Sequence, residues 1–127
     1  MGDAPCEDDP SIADDEILWR YVHQTQLTTD NLTGRVKPAS GAFRDKHMSV
    51  DVASMTSIPI AQARNPGKFI AKFAAADVRK FGKYVTHAID PDPENPAHAV
   101  VCPKLSQSEA RILSDQVGVW VLAPQGE

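Results

Sequence analysis

The sequence predicts a single small α+β domain behind a disordered acidic leader, and three observations predict it. Several short stretches alternate apolar with polar residues or gather branched and aromatic ones, as half-buried strands do. One stretch near the C-terminus carries a complete helix-start signal. The elements then follow one another irregularly, without the strand–helix alternation of a doubly wound sheet. A chain of 127 residues has the usual size of one domain. That domain is expected over residues 16–124, with residues 1–15 as the leader, and holds about five mostly antiparallel strands and two or three helices.

The leader contains Asp3, Glu7, Asp8, Asp9, Asp14 and Asp15, is broken by Pro5 and Pro10, and shows no apolar period; such composition cannot bury enough surface to order itself. Ile17-Leu18-Trp19-Arg20-Tyr21-Val22 suits a strand, with Trp19 and Tyr21 on one side and Leu18, Arg20 and Val22 on the other. Residues 24–46 read as a long polar connection, pinned to the core by Phe43. Met48, Val50 and Val52 alternate with Ser49 and Asp51, the period of a strand with one wet face. Ser57 to Arg64 reads as a short helix with Ser57 as its cap and Pro59 in its first turn.

Residues 68–82 fit either one helix or a strand from Phe69 to Ala74 followed by a helix ended by Gly82. The second reading is preferred because it leaves Lys83 to Ile89 as an adjacent strand. Asp90 to Pro96 forms a stiff loop, and Ala97 to Cys102 returns as the second arm of a hairpin. Ser106-Gln107-Ser108-Glu109 is a capping box, followed by Ala110, Leu113 and Val117 as an apolar stripe and Gly118 as a stop. Val119 to Leu122 closes the domain as a short strand or packed tail. Trp19, Phe73, Phe81 and Trp120 are expected in the core.

Apolar residues make up 42% and charged residues 24%, ordinary values for a globular protein. No apolar run approaches the roughly 20 residues of a membrane helix, and an acidic start is the opposite of a secretory signal. No membrane contact is expected, and the cytoplasm is the expected location. Cys6 and Cys102 fit a reducing compartment, with free thiols preferred over a bond between them. The net charge is −4, but seven of the seventeen acids precede Ile17, leaving the remainder with ten acids against thirteen bases, or +3. The bases gather at Arg35, Lys37, Arg44 and Lys46, and again from Arg64 to Lys83, a pattern that attracts phosphate or an acidic partner or solvates a surface. The acidic leader is a candidate to fold back over them.

Standard sites are missing. No glycine-rich loop has phosphate-binding spacing, and no Gly-x-Ser-x-Gly elbow occurs. Asp90, Asp92 and Glu94 imitate the start of a calcium loop, but Asn95 and Val101 stand where glycine and glutamate are needed. Two cysteines and four histidines lack zinc-ligand spacing, so no metal and no cofactor are expected. The candidate site residues are Arg20, Ser40, His47 and His98. An arginine on a strand can hold a phosphate through its planar fork. His98, after a rigid loop, is placed to move protons. His47 beside Lys46 and Arg44 suits a phosphodiester. Ser40 lies in a Pro38-Ala39-Ser40-Gly41 turn, where serine commonly bonds its own backbone.

Leu18-Trp19-Arg20-Tyr21-Val22, Ser40-Gly41-Ala42-Phe43-Arg44-Asp45, Met48-Ser49-Val50 and Asn95-Pro96-Ala97-His98-Ala99 in this order resemble a group of small bacterial proteins, over most of residues 17–122. That resemblance implies no particular activity. A strand-borne arginine followed by a polar serine loop is similar to the opening of ADP-ribosyltransferase-like toxin domains, and implies that Arg20 grips the phosphates of NAD. The chain departs from them in lacking a glutamate for the transfer step, since Glu94 lies in a proline-rich loop and Glu109 in a helix cap. Three functions are therefore open. The first is a cytosolic binding or interaction module with a protein partner, an accessory component of a bacterial multi-gene system. The second is a small enzyme on a phosphate-bearing substrate such as a nucleotide, NAD or RNA, with Arg20 as anion grip and a histidine as acid and base. The third is nonspecific nucleic-acid binding through the basic middle. Oligomeric state is not legible.

Overall fold

A computed structural model of the chain describes residues 7–87 and 96–121. Six antiparallel strands form the main sheet. They are β1 (Ile17–Val22), β4 (Met48–Val52), β5 (Phe69–Ala74), β6 (Tyr84–His87), β7 (His98–Cys102) and β8 (Gly118–Val121), in the order β6-β7-β4-β1-β5-β8. A separate hairpin pairs β2 (Leu27–Thr29) with β3 (Val36–Pro38). Three helices complete the fold: α1 (Ile58–Arg64), α2 (Ala75–Arg79) and α3 (Gln107–Gln116). The α+β class stands, with every pairing among the described residues antiparallel.

The main core fills one face of the sheet. Leu18, Val22, Val50, Ala71, Phe73, Val85 and Val101 point into it from the strands, and Phe43, Val78, Ala110 and Leu113 close over them. Phe43 is fully buried and meets Phe73 edge-on, with ring centroids 6.1 Å apart at 90°, a favoured aromatic geometry. On the other face α1 lays Ala61 against Trp19 and Ile70. Phe81 packs against the main core half-buried; Trp120 lies outside the described side chains.

Local signals shape the helices. The Ser57 hydroxyl accepts from the Ile60 N–H at 3.4 Å, and Pro59 follows in the first turn. At α3 the Ser106 hydroxyl accepts from the Glu109 N–H at 3.1 Å, while the Glu109 carboxylate accepts from the Ser106 N–H at 2.8 Å. That backbone bond, with the Lys83 ammonium 3.3 Å away, holds the Glu109 carboxyl below the usual glutamate range. A carboxyl with a lowered folded-state pKa stabilises fully above its unfolded value and loses that contribution as the pH falls through the folded one. The stability gap between the native chain and Glu109→Gln, measured by urea denaturation, should therefore be widest near neutrality. It should close below about pH 4.

The structure corrects several expectations. Residues 7–15 of the leader are packed rather than disordered. Ile12 is only 2% exposed and belongs to the main core. Asp9 donates its N–H to the Val85 carbonyl, Asp8 accepts the Val85 N–H, and Arg79 binds both Asp8 and Asp14. The leader thus covers the open edge of β6, which a bare edge strand would leave unpaired. Leader residues 1–6 lie outside the described residues.

The described residues form eight strands where about five were expected; two of the additional ones are the β2–β3 hairpin in the polar connection over 24–46, which also holds a 3-10 turn over Ser40–Phe43. The ambiguous stretch 68–82 resolves into β5 and α2, with Gly82 at φ +78° beyond the helix, a backbone conformation that suits glycine. Helix α3 ends at Gln116, and Gly118 opens β8 instead of serving only as a stop. Asp51 is buried at 3% exposure, not wet. Cys102 is disulfide-bonded, not a free thiol; the chain's other cysteine is Cys6, outside the described residues. The stiff loop falls outside them over 90–95.

Candidate functional site

Arg20 lies on the core face between Leu18 and Val22, where a guanidinium must find partners or remain desolvated. It finds three. Nε donates to the Ala42 carbonyl at 3.0 Å, one terminal nitrogen to the Ser49 carbonyl at 3.0 Å, and the other to the Asp45 carboxylate at 2.7 Å. The side chain is 13% exposed. Arg20 therefore ties the 40–45 loop to β1 and β4. The planar fork that makes arginine a good anion ligand is spent on the fold.

His98 lies elsewhere. In the sheet register Trp19 pairs with Asp51 and Asp51 with His98. Directly opposed residues share a face and successive residues alternate, so His98 is on the side away from Arg20. Its cross-strand neighbour Asp51 accepts a 2.6 Å hydrogen bond from the Tyr21 hydroxyl. Desolvation first, and then the bond to Asp51, push the Tyr21 hydroxyl far above its ordinary range, so it stays a donor. His47 is half-buried in the turn leading into β4 and makes no hydrogen bond to Arg20, Ser40 or His98 among the described residues. The thickness of the sheet separates Arg20 from His98.

Ser40 does line a cavity, of about 350 Å³, with Thr28, Lys37, Arg111, Ser114 and Asp115. Three elements build it. Thr28 and Lys37 are cross-strand partners in the β2–β3 hairpin, Ser40 opens the 3-10 turn, and Arg111, Ser114 and Asp115 share one face of α3 by their three- and four-residue spacing. The Ser114 hydroxyl donates to the Pro38 carbonyl and the Lys37 ammonium pairs with Asp115. These bonds staple α3 to the hairpin and hold the walls. Arg111 and the hydroxyls of Ser40 and Thr28 make no hydrogen bond or ion pair within the described residues. A second cavity of about 440 Å³, with Ile17, Trp19, Phe73 and Lys72 in its walls, is more apolar.

The basic middle is answered in part within the described residues. Arg79 binds Asp8 and Asp14, Lys83 pairs with Glu109, Lys80 binds Gln116, and Arg35 donates to the Asp115 and Val117 carbonyls. Lys80 and Arg35, bonded to neutral groups, keep their charge. No helix among the described residues is long and apolar enough to cross a membrane. No family model, no curated protein and no solved structure matches the chain.

Sequence reasoning missed Asp51, the Lys37–Asp115 pair and Arg111. The helical spacing of 111, 114 and 115 was a usable signal. The proximity of that helix face to Ser40 left none.

Proposed function

We propose that this chain is a binding module for a protein partner, a cytoplasmic accessory component of a bacterial multi-gene system, and not a catalyst. The observation that carries this reading is the placement of Arg20 and His98 on opposite faces of one sheet. Acid–base work on a bound anion needs both groups within reach of one substrate, so the separation of Arg20 and His98 favours a binding role. In the toxin-like reading Arg20 grips the phosphates of NAD; its bonds to Ala42 and Asp45 favour a role in holding the 40–45 loop instead.

A partner surface is available on the outer flank of α1. Ile60 is 48% exposed and Met55, just before the helix, 45%. Arg64 follows Ile60 by four residues on the same flank and, with Lys68, forms no ion pair among the described residues. Apolar side chains beside uncompensated cations suit an acidic, partly apolar protein surface. The test uses the full chain and its Ile60→Glu/Arg64→Glu variant as baits in source lysate, with incubation against NAD, nucleotides and RNA in parallel. The expected result is a protein retained by the native chain and lost from the variant, with no product formed from any substrate. Equal retention by both baits, or a product abolished by His98→Ala, would overturn the reading.

A further inference from the structure

We propose that the cavity between the β2–β3 hairpin and α3 is a binding site for a phosphate monoester of a small molecule. It lies on the α3 side of the sheet, away from the α1 flank, so it stands or falls independently of the protein partner. Its volume of about 350 Å³ lies within the range of small-ligand pockets and holds a phosphate with a pentose.

The donors are of the right kind, and those of Arg111, Ser40 and Thr28 are uncommitted among the described residues. The Arg111 guanidinium offers paired N–H groups that match two phosphate oxygens. The Ser40 and Thr28 hydroxyls can each donate one more hydrogen bond. The Lys37 ammonium has three N–H groups and contacts a single Asp115 oxygen. Asp115 is the opposing charge. Because it is paired with Lys37, the cavity keeps a net positive charge from Arg111, enough to prefer an anion over a neutral ligand. No aromatic side chain among the described residues lines the cavity, so none of them stacks on a nucleobase, and the described lining favours the phosphate end of a ligand.

Calorimetric titration of the full chain with ribose 5-phosphate, ribose and inorganic phosphate tests this. Ribose 5-phosphate is expected to saturate one site at millimolar concentration or below, inorganic phosphate to bind more weakly, and ribose not to bind. Arg111→Gln should weaken ribose 5-phosphate by about tenfold or more, the worth of a charged hydrogen bond. Ser40→Ala should weaken it by a few-fold, and Arg111→Lys, which keeps the charge without the fork, should fall between. Arg64→Gln, on the distant α1, should leave it unchanged. The Arg111 and Ser40 side chains make no hydrogen bond among the described residues, so far-ultraviolet circular dichroism should be the same for all variants. Failure of both phosphates to bind, tighter binding of inorganic phosphate than of ribose 5-phosphate, or equal affinity in Arg111→Gln would overturn the proposal.

Discussion

Arg20→Ala is expected to destabilise the chain by about 3 kcal/mol, the scale for removing one partner from a mostly buried charged network. The substitution leaves the Ala42 and Ser49 carbonyls without their donors and unties the 40–45 loop from two strands. Asp45→Asn should cost well under about 1 kcal/mol, because Asp45 is 60% exposed and an exposed ion pair is worth little. Arg20→Lys should resemble alanine more than arginine, since one ammonium cannot reach three divergent acceptors. Urea denaturation measures all three. A small domain has only some 5–15 kcal/mol to lose, so the first effect is plain in the midpoint. If Arg20→Ala cost no more than Asp45→Asn, the clamp would be wrong.

Phe43→Ala is expected to cost still more, about 3–5 kcal/mol, the usual range for emptying a buried aromatic position. Phe43 is fully buried, and its edge-on contact with Phe73 is lost together with its area. The loss should also reach the cavity, because Phe43 ends the 3-10 turn that Ser40 begins. Thermal unfolding and the affinity for ribose 5-phosphate should therefore fall together, whereas Phe81→Ala, at a half-buried position, should lower the melting temperature less and spare the affinity. A Phe43→Ala protein as stable as one with Phe81→Ala would contradict the core as described.

What was legible in the sequence was local. The boundaries of β1 follow from its run of branched and aromatic residues, and the start of α3 from a capping box whose partners sit three residues apart. Phe43 was recognisable as an anchor because it is the one aromatic residue in its polar stretch. The β2–β3 hairpin was not legible, since strands of three residues containing Thr, Lys and Pro carry no period. The leader misled for a similar reason. Ile12, its one buried apolar residue among the described ones, is no pattern, and its carboxylates find Arg79 and the edge of β6 only in the folded chain.

The site failed at the level of register. That Arg20 shares a side with Leu18 and Val22 can be read from alternation alone. That His98 faces the other way depends on which residue of β7 meets Asp51, and a shift of one residue would reverse it. Asp51 was assigned to water because alternation cannot see the Tyr21 hydroxyl arriving from the next strand. An arginine on an apolar face announces a need for partners; only the structure names two backbone carbonyls and Asp45 as the ones that meet it.

The most direct measurement follows the Nε–H of Arg20 by nuclear magnetic resonance while NAD, nucleotides and ribose 5-phosphate are added in turn. A donor locked onto the Ala42 carbonyl should give a slowly exchanging signal that none of these ligands moves. A rapidly exchanging Nε–H, or one that shifts on saturation with a phosphate-bearing ligand, would mean that this guanidinium serves the ligand and not the fold.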